Sequence, residues 1–240
     1  MAATAQPGSS SLTQPDYWWY RARADLLETV LGPYLGEPLR TLDVGSADGP
    51  SVGWMRKGQR RVTLDLFPGG LTPGEGVCGS AMALPFVDEA FDVVAAFDVV
   101  EHCESETLAM SELARVLAPG GRMLLSVPAY QWAWSDHDVR AGHHRRYTRP
   151  RLVRLVEGAG LTVERSTYAF TGVFPFFVAE RAMRRLKQRA GSSPPKGLAP
   201  VPGPVDKLLM RLSAMDQRVL RSRDLPFGSS VFLAAIKPGH

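Results

Sequence analysis

A chain of 240 residues that is 45% hydrophobic can bury one large core or at most two small ones, and we expect one. Cys78 and Cys103 are too few for a disulfide framework and lack the paired Cys/His spacing of a zinc site, so a disulfide-stapled scaffold is excluded and a reducing, cytoplasmic compartment is expected. The net charge is only +4 but is divided: residues 1–120 hold 8 Lys/Arg against 16 Asp/Glu, and residues 121–240 hold 20 against 8. An anionic partner, whether nucleic acid, acidic substrate or membrane surface, would therefore meet the second half.

Residues 1–15 are small and polar, without the basic start and apolar core of a signal peptide, and read as a disordered leader. No run approaches eighteen uninterrupted apolar residues, so no integral membrane segment is expected. From residue 16 onward strands alternate with helical patterns, the rhythm of a parallel sheet with crossover helices. With Asp16 at the cap position, Tyr17 to Leu31 predicts a helix ended by Gly32-Pro33. A strand over Arg40 to Val44 leads into a glycine-rich turn, Gly45 to Gly49, and a short helix near Val52 to Lys57. A second strand covers Arg61 to Leu66, and a weak third lies around Gly76 to Cys78. Phe91 to Phe97 is nearly continuous apolar sequence, as in a strand buried on both faces. A helix over Glu104 to Leu117 stops at Ala118-Pro119-Gly120-Gly121 and gives way to a strand over Arg122 to Val127. Helices over Thr148 to Ala159, Phe174 to Arg189 and Val205 to Arg221 follow, with strands at Leu161 to Tyr168 and Ser229 to Ile236. Gly191 to Pro204, with five prolines and three glycines, reads as a loop.

The chemistry concentrates at strand ends. Thr41-Leu42-Asp43-Val44-Gly45 joins a buried strand to a loop whose glycine lets the backbone turn sharply and approach a ligand. About twenty residues further on, Asp65 ends the second strand, where a carboxylate can accept both hydroxyls of an adenosine ribose. Ligands of open α/β sheets bind outside the carboxyl ends of the strands, so both acids should face one pocket.

These residues resemble class I S-adenosylmethionine-dependent methyltransferases of the small-molecule branch. Asp43 to Gly49 is similar to the family's D-x-G-x-G-x-G motif, with Ala47 in place of the middle glycine, and Asp65 matches its ribose-binding acid. Gly79-Ser80-Ala81-Met82-Ala83-Leu84-Pro85-Phe86 looks like its adenine loop, with Ser80 where an Asp is usual. Phe91-Asp92-Val93-Val94 with Glu101-His102, and Ala118-Pro119-Gly120-Gly121, resemble its fourth-strand motif and the turn before its fifth strand. The resemblance implies an α/β, Rossmann-like, seven-stranded sheet with the last strand antiparallel, helices on both faces and helical lid elements. The domain would run over 16–240, with lid insertions at about 128–147 and 170–222. It implies S-adenosylmethionine as cofactor and a small-molecule acceptor, anionic if arginines reach it, with secondary metabolism as a setting. Tyr20, Arg23, Asp43, Gly45, Ala47, Asp65, Leu66, Ser80, Ala81, Met82 and Phe97 are the expected cofactor contacts, Tyr20 and Arg23 coming from an aromatic N-terminal helix laid over the cofactor.

The segment Val127 to Asp138, followed by Gly142 to Tyr147, leaves the fifth strand and should arch over the substrate side. Tyr130, Trp134, Arg145, Arg146 and Tyr147 are the expected acceptor contacts, and His102, His137 and His144 the groups able to take a proton near neutral pH. No metal is expected, because an adjacent His pair on one loop seldom points both rings at one ion. A nicotinamide dehydrogenase shares the glycine loop but not the Leu-Pro-Phe or Glu-His patterns. The same scaffold adapted to cyclisation, and a basic nucleic-acid or membrane-surface adaptor, are the other readings; no nucleic-acid module is visible, and a monomer or homodimer is expected.

Overall fold

The computed structural model describes residues 14–45, 53–55, 60–71, 76–189 and 201–239. Most of the leader, the glycine-rich turn from Ser46 through Ala47 to Gly49, and most of the Gly191 to Pro204 loop lie outside the described residues, as does all but Gly53–Met55 of the short helix expected near Val52 to Lys57.

Seven strands form one sheet: β1 (Arg40–Val44), β2 (Arg60–Asp65), β3 (Gly76–Cys78), β4 (Phe91–Phe97), β5 (Leu117–Pro128), β6 (Thr162–Ala169) and β7 (Ser230–Ile236). Their order is β3-β2-β1-β4-β5-β7-β6. Pairing is parallel from β3 through β5 and antiparallel where β7 inserts between β5 and β6. The central strands are apolar almost throughout, and Val94, Ala95, Ala96, Leu124 and Leu125 are wholly buried because helices cover both faces.

Helix α1 (Trp18–Leu35) turns Leu26, Leu27, Val30 and Leu31 inward. It runs four residues past the expected stop. Pro33 sits in the last turn, where its missing N–H removes a single bond, while Leu35 still finds a buried place. The stop falls at Gly36, whose φ of 62° is a conformation glycine adopts at little cost. Helix α2 (Glu106–Val116) starts at Ser105, whose Oγ accepts from Leu108 N (3.3 Å). β5 begins earlier than expected, at Leu117, because Leu117 pairs with Phe91 across the sheet before a register shift at the Pro-Gly-Gly kink. Helix α3 (Asp136–Ala141) lies in the segment after β5, and α4 (Arg149–Glu157), α5 (Phe174–Arg189) and α6 (Gly203–Leu220) complete the set. α6 lies against α1, pinned by Arg21 to Asp206 (2.7 Å) and by Gln217 Nε2 donating to Thr29 Oγ1 (2.9 Å). Among the described residues no helix is long and apolar enough to cross a membrane.

Candidate functional site

The chain lays β2 and β3 on one side of β1 and β4 on the other, so the winding direction reverses between β1 and β4. The crevice outside their carboxyl ends is where an open α/β sheet takes its ligand. Gly45 turns the chain out of β1 with φ 74°, and its N–H donates to Leu64 O (2.7 Å), tying the β1 exit to β2. A Cβ there would come within 2.5 Å of Val99 Cγ2, so glycine is required for the β1 and β4 exits to close on each other. Asp43 is buried and paired with Arg61 Nη2 at 2.6 Å, a pair that holds the β1 end to its neighbour.

Asp65 ends β2, is 8% exposed, and takes the Phe67 N–H on Oδ1 (2.9 Å), a turn that fixes the carboxylate at the strand tip. Leu66 beside it points to solvent. Gly79 N–H donates to Asp65 O (3.0 Å), which places the next loop alongside. There Ser80 Oγ accepts from Met82 N (3.1 Å), Ala81 is buried, and Met82 packs against the core. The loop is fixed from behind by α2: Glu112 accepts from Leu84 N (2.7 Å), and Arg115 donates to the carbonyls of Leu84 and Phe86.

At the β4 tip Asp98 adopts φ 57°, a left-handed conformation to which Asp is better suited than most residues. Its carboxylate pairs with Arg23 Nη2 (2.9 Å) and accepts from Ser126 Oγ (3.0 Å). Arg23 is 1% exposed and lies over the Trp19 ring. The N-terminal helix thus brings Arg23 to the β4 tip, where the anion it meets is Asp98, a carboxylate of the protein. Tyr20 is buried edge-on to Trp19. Phe97 packs on Trp54 inside the core.

Residues 129–147 form an arch pinned at its base by the Ala129–Tyr147 bridge, with Tyr130 N donating to Tyr147 O and Tyr147 N to Pro128 O. Ser135 caps α3 in a Ser-x-x-Asp box whose Asp138 accepts from Ser135 N (2.8 Å). Asp138 is fully buried and takes Arg146 Nε (2.7 Å) and His143 Nδ1 (2.9 Å) on one oxygen. Burial alone would raise its pKa, but the His143 and Arg146 hydrogen bonds hold it well below the usual carboxylate range. Arg146 is therefore spent inside the arch and cannot clamp an anionic acceptor, and Arg145 likewise turns to Glu104 O (2.6 Å) and Glu106. Tyr147 is wholly buried, its hydroxyl pushed up by burial and by Glu106. His144 is exposed, and its N–H donates to Glu101 O (2.7 Å). His137 sits beside His143, ring centres 6.4 Å apart, with its pKa lowered by desolvation. His102 is closer, 4.5 Å from His143, and desolvation and that neighbour push it down to about 4, although the residue is exposed.

Tyr130, at φ 62°, stacks on Tyr168 (5.3 Å) and Trp132 (5.6 Å), with Phe174 and Phe177 closing the ring cluster. Desolvation and the Tyr168 hydroxyl push its phenol up to about 12. Trp134, two residues after Trp132, is half-buried at the entry to α3. Helix α5 covers this arch: Arg181 Nη1 donates to Ser135 Oγ (2.6 Å), Arg184 pairs with Asp136, and Arg185 donates to Trp132 O. Sequence reasoning missed Asp98, Ser126 and Asp138; the Ser-x-x-Asp spacing was the visible signal for the last.

Residues 42–125 match the methyltransferase domain family. Over these residues the chain is similar to class I, S-adenosylmethionine-dependent methyltransferases. A demethylmenaquinone methyltransferase of Mycobacterium tuberculosis is 33% identical over 152 residues, 59% of this chain and 60% of that one. Burkholderia thailandensis 1,6-didemethyltoxoflavin-N1-methyltransferase, solved with its acceptor and S-adenosylhomocysteine, shares the fold at 18% identity and a TM-score of 0.57, covering 99% of this chain and 93% of that one. The [4+2]-cyclase SpnF does so at 20% and 0.56, covering 90% and 82%. The alignments span between 27% and 60% of the length of the curated relatives that the chain matches. The cofactor of such a domain is S-adenosylmethionine. The donor set here fits it: a carboxylate held at the β2 tip for ribose, and a short loop with a hydroxyl and backbone amides beside it for adenine.

Proposed function

We propose that the protein transfers a methyl group from S-adenosylmethionine to a small-molecule acceptor that presents an apolar or aromatic surface. The observation that carries this reading is the placement of Asp65 and the Ser80–Met82 loop side by side at the carboxyl edge of a sheet of order 3-2-1-4-5-7-6. Bound S-adenosylmethionine supplies a methyl group on a positively charged sulfur. Asp65 holds the ribose, and the loop fixed by Glu112 and Arg115 holds the adenine edge. The Arg23–Asp98–Ser126 network keeps the β4 and β5 tips in register beside them. The arch and α5 exclude water and orient the acceptor against the rings of Tyr130, Trp132 and Phe174, as alignment and desolvation require for an in-line displacement. With Arg145 and Arg146 engaged by the protein, an aromatic surface and not an anionic group is the feature we assign to the acceptor. The setting we propose is the cytoplasm, with the protein a monomer or homodimer that needs no nucleic acid.

Calorimetry with S-adenosylhomocysteine tests the cofactor half. Asp65→Ala should weaken binding at least tenfold, because two charge-assisted hydrogen bonds are lost at about 1.5–3 kcal/mol each. Equal affinity of parent and variant would remove the assignment. A cyclisation on the same scaffold is the second reading, favoured by the fold shared with SpnF. Incubation with methyl-labelled cofactor and an aromatic small-molecule panel separates the two: label in a product supports transfer, and product formation without label supports the alternative.

A further inference from the structure

Glu101 is the least explained polar residue of the crevice. It follows β4 in a tight helical turn, Val100–His102, is 0% exposed, and neither carboxylate oxygen has a hydrogen-bond partner among the described residues. A buried carboxylate without hydrogen bonds is costly unless it is neutralised, paired, or bound to a cation. Arg23 and Arg146 lie near enough to act on it, but each is committed to another acid, Asp98 and Asp138 respectively.

Two imidazoles converge on it. Ligand atoms of Glu101, His102 and His143 all lie within 4.8 Å of one another. The rings of His102 and His143 meet edge to face with centres 4.5 Å apart. Two histidines bound to one ion at about 2.1 Å each would place their ring centres about 4.5 to 5.5 Å apart, for angles from a right angle to tetrahedral. Both rings are also held from behind. Asp138 takes His143 Nδ1 at 2.9 Å, which leaves the Nε2 lone pair for a ligand, and the Ala141 carbonyl faces the His102 ring. A carboxylate or carbonyl behind the imidazole is the usual support of a metal-bound histidine. Asp138 is itself fixed by Arg146 and Ser135, so the ring is oriented before any ion arrives. The exposure of His102 provides an entry path.

We infer that Glu101, His102 and His143 form a binding site for one divalent transition-metal ion, of the two-nitrogen, one-oxygen donor type, at the junction of the cofactor crevice and the arch. The donor set favours a borderline ion such as zinc, cobalt or nickel over calcium or magnesium, which prefer all-oxygen sites. The site departs from the expectation drawn from the loop histidines alone. His144 is not one of the three, and the other two ligands come from the end of β4, 41 residues earlier in the chain for His102 against His143.

The experiment is calorimetric and optical titration of the chelator-stripped full chain with cobalt and with zinc. The expected result is one equivalent bound, with visible cobalt absorption. His102→Gln, whose ring is partly exposed and whose loss the fold should tolerate, and Glu101→Gln should each weaken uptake at least tenfold. Asp138→Asn should weaken it by about 10–100-fold through the unsupported His143. His144→Gln should leave it unchanged. No uptake by the parent chain at micromolar metal, or uptake unaltered in folded His102→Gln, would overturn the assignment. Neither result bears on cofactor binding, which the Asp65 variant tests separately.

Discussion

Replacing Asp138 by Asn tests whether the arch is held by one buried ion pair. The carboxylate receives Arg146 Nε at 2.7 Å, His143 Nδ1 at 2.9 Å and Ser135 N at 2.8 Å, and it is fully buried. An amide keeps one acceptor oxygen but turns an NH2 group toward donors, and it strands the Arg146 guanidinium, which is 4% exposed, without its counter-charge. Breaking a buried pair from one side costs about 3–5 kcal/mol, and the retained oxygen argues for the lower end, about 3 kcal/mol. For a domain of this size each kcal/mol moves the melting temperature by about 2–4 °C, so a fall of roughly 6–12 °C is expected in a metal-free thermal melt followed by circular dichroism. Trp132 and Trp134 stand in the arch, so their emission should shift at the same midpoint if the loss is global and at a lower temperature if the arch opens first. The double variant Asp138→Asn/Arg146→Met removes the stranded cation and should recover about 1–3 kcal/mol relative to the sum of the single losses. A fall smaller than about 2 °C, or strict additivity in the cycle, would refute the reasoning.

Gly228→Ala should destabilise strongly, by at least about 2 kcal/mol, since the added Cβ would stand 2.0 Å from Ala169 O, a backbone atom that cannot swing aside; a variant melting within 2 °C of the parent would contradict the described packing of the chain leading into β7 on the end of β6. The Arg115 hydrogen bond lowers the Glu112 carboxyl, so its contribution is complete at neutral pH and is lost as pH falls through the depressed folded-state value. The stability gap between parent and Arg115→Gln, followed by denaturant titration, should therefore narrow on acidification from pH 7 toward pH 3, and a gap constant over that range would count against it.

Much of the sheet was legible because its signals are local. Arg40 to Val44 and Phe91 to Phe97 have the bounds expected from their apolar runs, and Gly76 to Cys78, a weak signal, is the third strand. Boundaries moved where a distant partner decided them. Leu117 looks like the end of a helix in its own neighbourhood and becomes strand because Phe91 lies opposite. Leu35 extends α1 past a Gly-Pro pair because the helix side facing the core still has an apolar place to fill.

The turns at the β2 and β3 ends read from sequence for the same reason: Asp65 and Ser80 are set by the strand or turn they terminate, and the neighbours that fix them, Phe67 and Met82, are each two residues away. The acceptor side does not, because charge density along a chain says nothing about which way adjacent arginines face. Arg145 and Arg146 look alike in sequence, yet one reaches out to Glu104 and Glu106 and the other inward to Asp138, and Arg151 joins Glu106 as well. A basic run that sequence offers as a clamp for an anion is here drawn onto the protein's own carboxylates, Asp138 and, from the acidic half of the chain, Glu106. The uneven charge of the two halves is thus in part internal complementarity. That side instead presents the ring cluster of Tyr130, Trp132 and Phe174, of which the sequence singled out Tyr130 alone, assembled from two segments more than forty residues apart.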